Sequence, residues 1–184
     1  MTSDETIILN KDGFKITKCA TNNYKLHFHL ENNNIYIEKI IDFPLIKLVY
    51  DLNPDVYEQT TIEKISDTQA KITLLLKHFF EDLGMPQRYS YVHMTKHVAR
   101  NNITFITKSI TTEKPHGMPA DSELMPIQDL VASFDIETLH MTAVTFDIWF
   151  DKRFNVPVFA EKIIIQILFK VFKRVKQFIE NIAI

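Results

Sequence analysis

His27 and His29 are the residues whose type and spacing come nearest to chemistry. Side chains two apart on a β-strand point the same way. A His-x-His pair on a strand can therefore supply two metal ligands, with a third drawn from elsewhere. His93, His97, His140, Asp135 and Glu137 are the candidates for that third position. Such a set would make a metal-dependent enzyme. The competing reading is plainer: the two histidines alternate with Leu26, Phe28 and Leu30, and Lys25 stands beside them, as on a solvated strand face. His93 and His97 could share a face of another strand and act as a general base, but no nucleophile or oxyanion donor accompanies them. Cys19 is the only cysteine, so an internal disulfide framework and a cysteine-based zinc cluster are excluded. No catalytic set is assigned and no cofactor is expected.

Two other classes fall on composition. Phosphate-cradling loops need closely spaced glycines, whereas Gly13, Gly84 and Gly117 are far apart. A net charge of −2 gives no global attraction for nucleic acid. Isoleucine, phenylalanine, asparagine and lysine, abundant here, have AT-rich codons, which points to an AT-rich genome such as that of a parasite or a large DNA virus. Met1–Thr6 is polar and acidic and has no signal-peptide core. An intracellular protein is the expectation, in the virion or host cytoplasm if viral.

The chain is organised around its last stretch, Pro157 to about Ile182. At about 100° per residue, Lys162, Gln166, Lys170, Lys173, Arg174, Gln177 and Asn181 fall on one side of a helix. Ile164, Ile167, Leu168, Val171, Phe172, Val175, Phe178, Ile179 and Ile182 cover most of the rest. That apolar arc is wider than the stripe of a surface helix, so the helix should lie in a groove or across a sheet. Pro157 suits a first helical turn, and Asn155 is a candidate cap. Charges at Glu161, Lys162, Lys170, Lys173 and Arg174 argue against a membrane span; a helix lying on a membrane is the other alternative. Lys170, Lys173, Arg174 and Lys176 form a basic ridge, either solvated or facing phosphate.

Upstream, the pattern is mainly of strands. Met1–Asn10 reads as a loose tail, followed by a short strand at Phe14–Cys19. Tyr24–Glu31 alternates cleanly, and Ile35–Asp42 is expected to return as its hairpin partner across Asn32-Asn33-Asn34. Phe43–Leu52 is ambiguous; Pro44 could open a helix there. Val56–Ile65 reads as extended. Ser66–Leu83 reads as the internal helix, with Ser66 and Gln69 as a capping box, Ile72, Leu75, Leu76, Phe79 and Leu83 as its apolar face, and Gly84 as its C-terminal cap; a hairpin turning at Asp67-Thr68 is the alternative. Arg88–Ala99 and Ile103–Thr112 form a second hairpin. Glu113–Pro126, with three prolines, is the longest loop. Leu130–Glu137 and Met141–Phe150 are strands, the latter facing Val144, Phe146, Ile148 and Phe150 one way.

Together these elements predict an α+β domain spanning residues 1–184: an antiparallel sheet of hairpins packed against a long C-terminal helix, with one internal helix. The element order resembles the helix-grip architecture used by many lipid and hormone carriers. The resemblance implies a pocket between sheet and closing helix, with Phe146, Ile148, Ile164, Leu168 and Phe172 as its lining and Trp149 and the phenylalanines as core. With no catalytic motif present, the leading expectation is a non-enzymatic interaction or structural subunit that binds other protein chains or itself, with membrane contact through the closing helix as a further route. A hydrophobic-ligand carrier is the second expectation, and the His27–His29 metalloenzyme the third.

Overall fold

The computed structural model describes residues 5–152 and 157–183. Ten strands form one sheet: β1 Thr6–Lys11, β2 Phe14–Ala20, β3 Asn23–Glu31, β4 Tyr57–Lys64, β5 Gln69–Leu76, β6 Arg88–Ala99, β7 Asn102–Ser109, β8 Glu123–Leu124, β9 Ile127–Thr138 and β10 Met141–Phe150. Their order is β1-β2-β3-β10-β9-β7-β6-β5-β4, with β8 added alongside β6 in parallel. Two helices complete the fold, α1 Phe43–Asp51 and α2 Val158–Glu180. This is the expected α+β architecture with its long closing helix. No helix among the described residues is long and apolar enough to cross a membrane.

Period-two alternation builds the floor. Tyr24, Leu26, Phe28 and Leu30 of β3 are buried, as are Val144, Ile148 and Phe150 of β10. Tyr24 pairs with Ile148 and Phe28 with Val144, so the two apolar rows lie side by side. Each buried residue of this size contributes roughly 1.5–3 kcal/mol. Phe28 is the hub: its ring lies 4.7 Å from Phe14, 5.8 Å from Phe172 and 6.4 Å from Phe146. Trp149, on the other face of β10, is 40% exposed and lies outside the core in which it was expected.

The internal helix is not where the periodicity placed it. Ser66–Leu83 contains β5, a short 3-10 turn at Glu81–Leu83 and the turn that joins β4 to β5. The capping-box residues serve that turn instead: Ile65 and Ser66 donate their backbone N–H groups to the Gln69 carbonyl at 2.9 and 3.1 Å, and Ser66 Oγ accepts from Thr68 N at 3.2 Å. The hairpin alternative is thus the observed one. Gly84 does adopt the left-handed conformation (φ 67°) that a cap requires, but it closes only the short turn. The internal helix is α1. Asp42 caps it by accepting from Phe43 N at 2.8 Å, and Pro44 sits in its first turn.

Two further expectations are corrected. Ile35–Asp42 is not a strand. It contains a 3-10 turn, Ile37–Ile40, that buries Ile37 and Ile41, and β3 pairs with β2 and β10 instead. The expected N-terminal tail is in part a strand, because Thr6–Lys11 pairs with β2. Met1–Asp4 and the candidate cap Asn155 lie outside the described residues.

Candidate functional site

Helix α2 crosses the inner face of the sheet and is tied there at both ends. In its first turn Glu161 accepts from Lys18 Nζ at 2.5 Å and from the Tyr24 hydroxyl. Burial alone would raise the Glu161 carboxyl, but the two donors outweigh it and hold it below its ordinary range. An acidic side chain is also favoured near a helix N-terminus. At the far end Asn32, fully buried, donates Nδ2 to the carbonyls of Ile179 (2.6 Å) and Ile182 (2.9 Å). Ile179 lies in the last turn of the helix, whose carbonyls lack partners within it, and Ile182 follows just beyond its end. Between the ends, Asp55 receives both Lys170 and Arg174, and Lys173 meets Asp12 at 2.6 Å. Lys176 pairs with Glu180 and donates to the His29 carbonyl at 2.6 Å. The basic ridge is therefore engaged by partners within the chain.

Between α2, α1 and the sheet lies a cavity of about 310 Å³. Phe146 and Ile148 form part of its floor, and Ile164, Leu168 and Phe172 part of its roof. All five residues singled out in the sequence are thus brought to one wall system. Ile164, Ile167, Leu168 and Phe172 are half-buried and line this space; Ala160, Val171 and Val175 line it too and are buried, as are Ile165, Phe169 and Ile179 of the same helix. The lining also takes in residues 77–80 and 85–88, Met125, Pro126 and Pro157. Exposed apolar side chains cluster in these segments and beside them: Phe79, Leu83, Val158, Phe159 and Ile163. The Phe80 ring lies 6.4 Å from that of Phe159.

The lining is apolar with a few neutral exceptions. Tyr50 from α1 and Tyr57 from β4 line the cavity with their rings 4.9 Å apart, edge to face. Burial pushes both phenols far above their ordinary range. Thr107 and Ser90 add two aliphatic hydroxyls. Of the charged groups of the lining, Lys77 is exposed, and Arg88 is paired with Glu123 at 2.7 Å. Sequence reading missed Tyr50, Tyr57 and the 77–88 segment. Tyr50 and Tyr57 stood in stretches with no clean period, and residues 77–83 were absorbed into the expected helix.

His27 and His29 stand together on the outer face of the sheet, rings 5.1 Å apart. His27 Nδ1 lies 3.2 Å from Thr145 Oγ1, and His29 Nε2 lies 3.5 Å from Glu137. Burial, with His29 nearby, lowers the His27 pKa. His93 and His97 are on β6, four strand steps away; at about 4.8 Å per step they are too distant to join them. Asp135 accepts from Asn102 at 2.6 Å, and His140 donates towards the Ile35 carbonyl at 2.8 Å. Among the described residues, no three His, Cys, Asp or Glu side chains are grouped to hold a metal. Burial pushes the Cys19 thiol up, away from the thiolate that a nucleophile needs.

A long helix gripped by an antiparallel sheet, with a cavity between them, defines the helix-grip fold. Comparison with solved structures agrees. The chain superposes on the human StarD13 (DLC2) lipid transfer and protein localization domain with a TM-score of 0.71 at 11% identity, covering 98% of this chain and 91% of that one. The STAR-related lipid transfer protein fragment from Xanthomonas axonopodis gives 0.68 at 13%, covering 95% and 98%. Human StAR-related lipid transfer protein 5 gives 0.64 at 11%, covering 98% and 86%. At such identities the likeness establishes the fold. No protein-family profile and no curated protein matches the chain in sequence.

Proposed function

We propose that this protein carries a hydrophobic, lipid-like small molecule between α2 and the inner face of the sheet. The observation that carries the reading is the apolar cavity of about 310 Å³, at the lower end of the roughly 300–1,000 Å³ typical of ligand sites. Close packing leaves few voids larger than a water molecule in an ordinary interior, so a space of this size asks for an occupant. The fold likeness supports the same reading, since the three solved neighbours are titled for lipid transfer. The cavity also reverses the order of the sequence expectations: the carrier now stands ahead of the interaction subunit and of the metalloenzyme.

The test is native mass spectrometry of the purified protein against its denatured mass, followed by uptake of a naphthylamine dye that fluoresces in apolar surroundings. A bound mass of a few hundred daltons, extractable into organic solvent, or saturable dye uptake is the expected result. A bare protein that takes up no dye overturns the reading.

A further inference from the structure

We infer that the occupant is an uncharged amphipathic lipid whose hydroxyl or carbonyl group hydrogen-bonds to the phenols of Tyr50 and Tyr57 inside the cavity. This rests on the carrier reading and specifies its ligand. Two independent observations carry it. First, neither phenol has a hydrogen-bond partner among the described residues, although both side chains are half-buried and both line the cavity. A phenol turned to such a space ordinarily finds a partner, and an apolar ligand that displaced water from it would leave it unpaired at a cost. Their rings lie 4.9 Å apart, edge to face, with no hydrogen bond between the two hydroxyls. Second, Thr107, only 7% exposed, lines the same cavity from β7, and its Oγ1 has no partner among the described residues. A turn about χ1 exchanges that hydroxyl with the threonine methyl, which lets it answer a polar group in the cavity.

The charge of the ligand follows from what these groups are. Phenols and a threonine hydroxyl offer neutral donors and acceptors. Of the basic side chains in the lining, Lys77 is exposed, Arg88 is held by Glu123 at 2.7 Å, and His78 has its Nε2 2.6 Å from the Met85 carbonyl. A carboxylate or phosphate carried inwards would leave water without a counter-charge, which is prohibitive. An alcohol, ketone or ester exchanges water for the three hydroxyls.

The experiment compares three probes of equal chain length, dodecanol, dodecanoate and dodecane, as displacers of the naphthylamine dye. The wild-type protein is set beside the triple variant Y50F/Y57F/T107V, whose replacements keep the shape and remove the hydroxyls. The expected result is that wild type prefers dodecanol over both others by about tenfold, as one to two recovered buried hydrogen bonds predict. The triple variant should bind dodecanol and dodecane alike. Equal binding of dodecanol and dodecane by wild type, a preference for dodecanoate, or a dodecanol preference that survives in the variant overturns the inference while leaving a carrier. Failure of every probe and of the dye overturns the carrier reading with it. The wild-type comparison stands even if the variant does not fold.

Discussion

Leu168→Trp separates a real cavity from a merely loose core. Leu168 sits on α2, half-buried, with its side chain on the cavity wall. A void of about 310 Å³, at about 24 cal/mol per Å³, forgoes on the order of 7 kcal/mol of packing. A larger side chain that enters it recovers part of that sum, and each added Å² of buried apolar surface contributes about 25 cal/mol. In a filled interior the same change is overpacking and costs about 1–3 kcal/mol. For a chain of this length a change of 1 kcal/mol moves Tm by roughly 2–4 °C. The cavity therefore predicts a Tm that is unchanged or a few degrees higher, with dye affinity reduced about tenfold or more, since the indole occupies the ligand's place. Differential scanning calorimetry of ligand-stripped protein, with dye titration on the same sample, measures both. A fall in Tm beyond about 4 °C with dye binding intact would refute the cavity.

Three further outcomes follow. Arg174 and then Lys170 hold the Asp55 carboxyl well below the usual range. Its stabilisation is present above the unfolded value of about 3.9 and is lost as pH falls through the folded value. Asp55→Asn should thus destabilise by roughly 0.5–1 kcal/mol near neutrality, kept small by the site's exposure. Urea titrations of variant and wild type should converge in strong acid. Tyr24, Tyr50 and Tyr57 are raised by burial. Ultraviolet titration should show these three ionising only above the ordinary phenol value of about 10, as the fold is lost at higher pH. Asn32→Ala removes both donors to the C-terminal carbonyls of α2 and should cost about 1–3 kcal/mol in urea denaturation.

The parts of the fold legible in the sequence are those in which one side is wet and the other dry. Strand β3 shows its period-two pattern because Lys25, His27, His29 and Glu31 face outward opposite a buried row. Helix α2 was legible because its polar ridge is narrow and regular. Strand β5 was misread because Ile72, Leu75, Leu76, Phe79 and Leu83 happen to satisfy a 3.6-residue spacing, and short apolar runs do not distinguish the two periods. Ile35–Asp42 failed for another reason. Asn32 does not turn a local hairpin; it reaches α2, far away in sequence. Such long-range ties leave no local pattern. The five cavity residues were found because an apolar floor and an apolar roof were both visible. The hydroxyls were not, since an isolated tyrosine or threonine looks the same whether its polar atom is satisfied or not.

The pairing of β3 with β10 has a consequence for synthesis. Tyr24 must wait for Ile148, and Asn32 for Ile179, before these contacts can form. Such non-local pairing slows folding and prolongs the exposure of sticky surface. While the chain is being made, the apolar inner face stays uncovered until α2 has left the ribosome. That interval is when the nascent protein is most exposed to aggregation. If the cavity holds a lipid as proposed, that interval is also when one could settle on the sheet without the helix having to move.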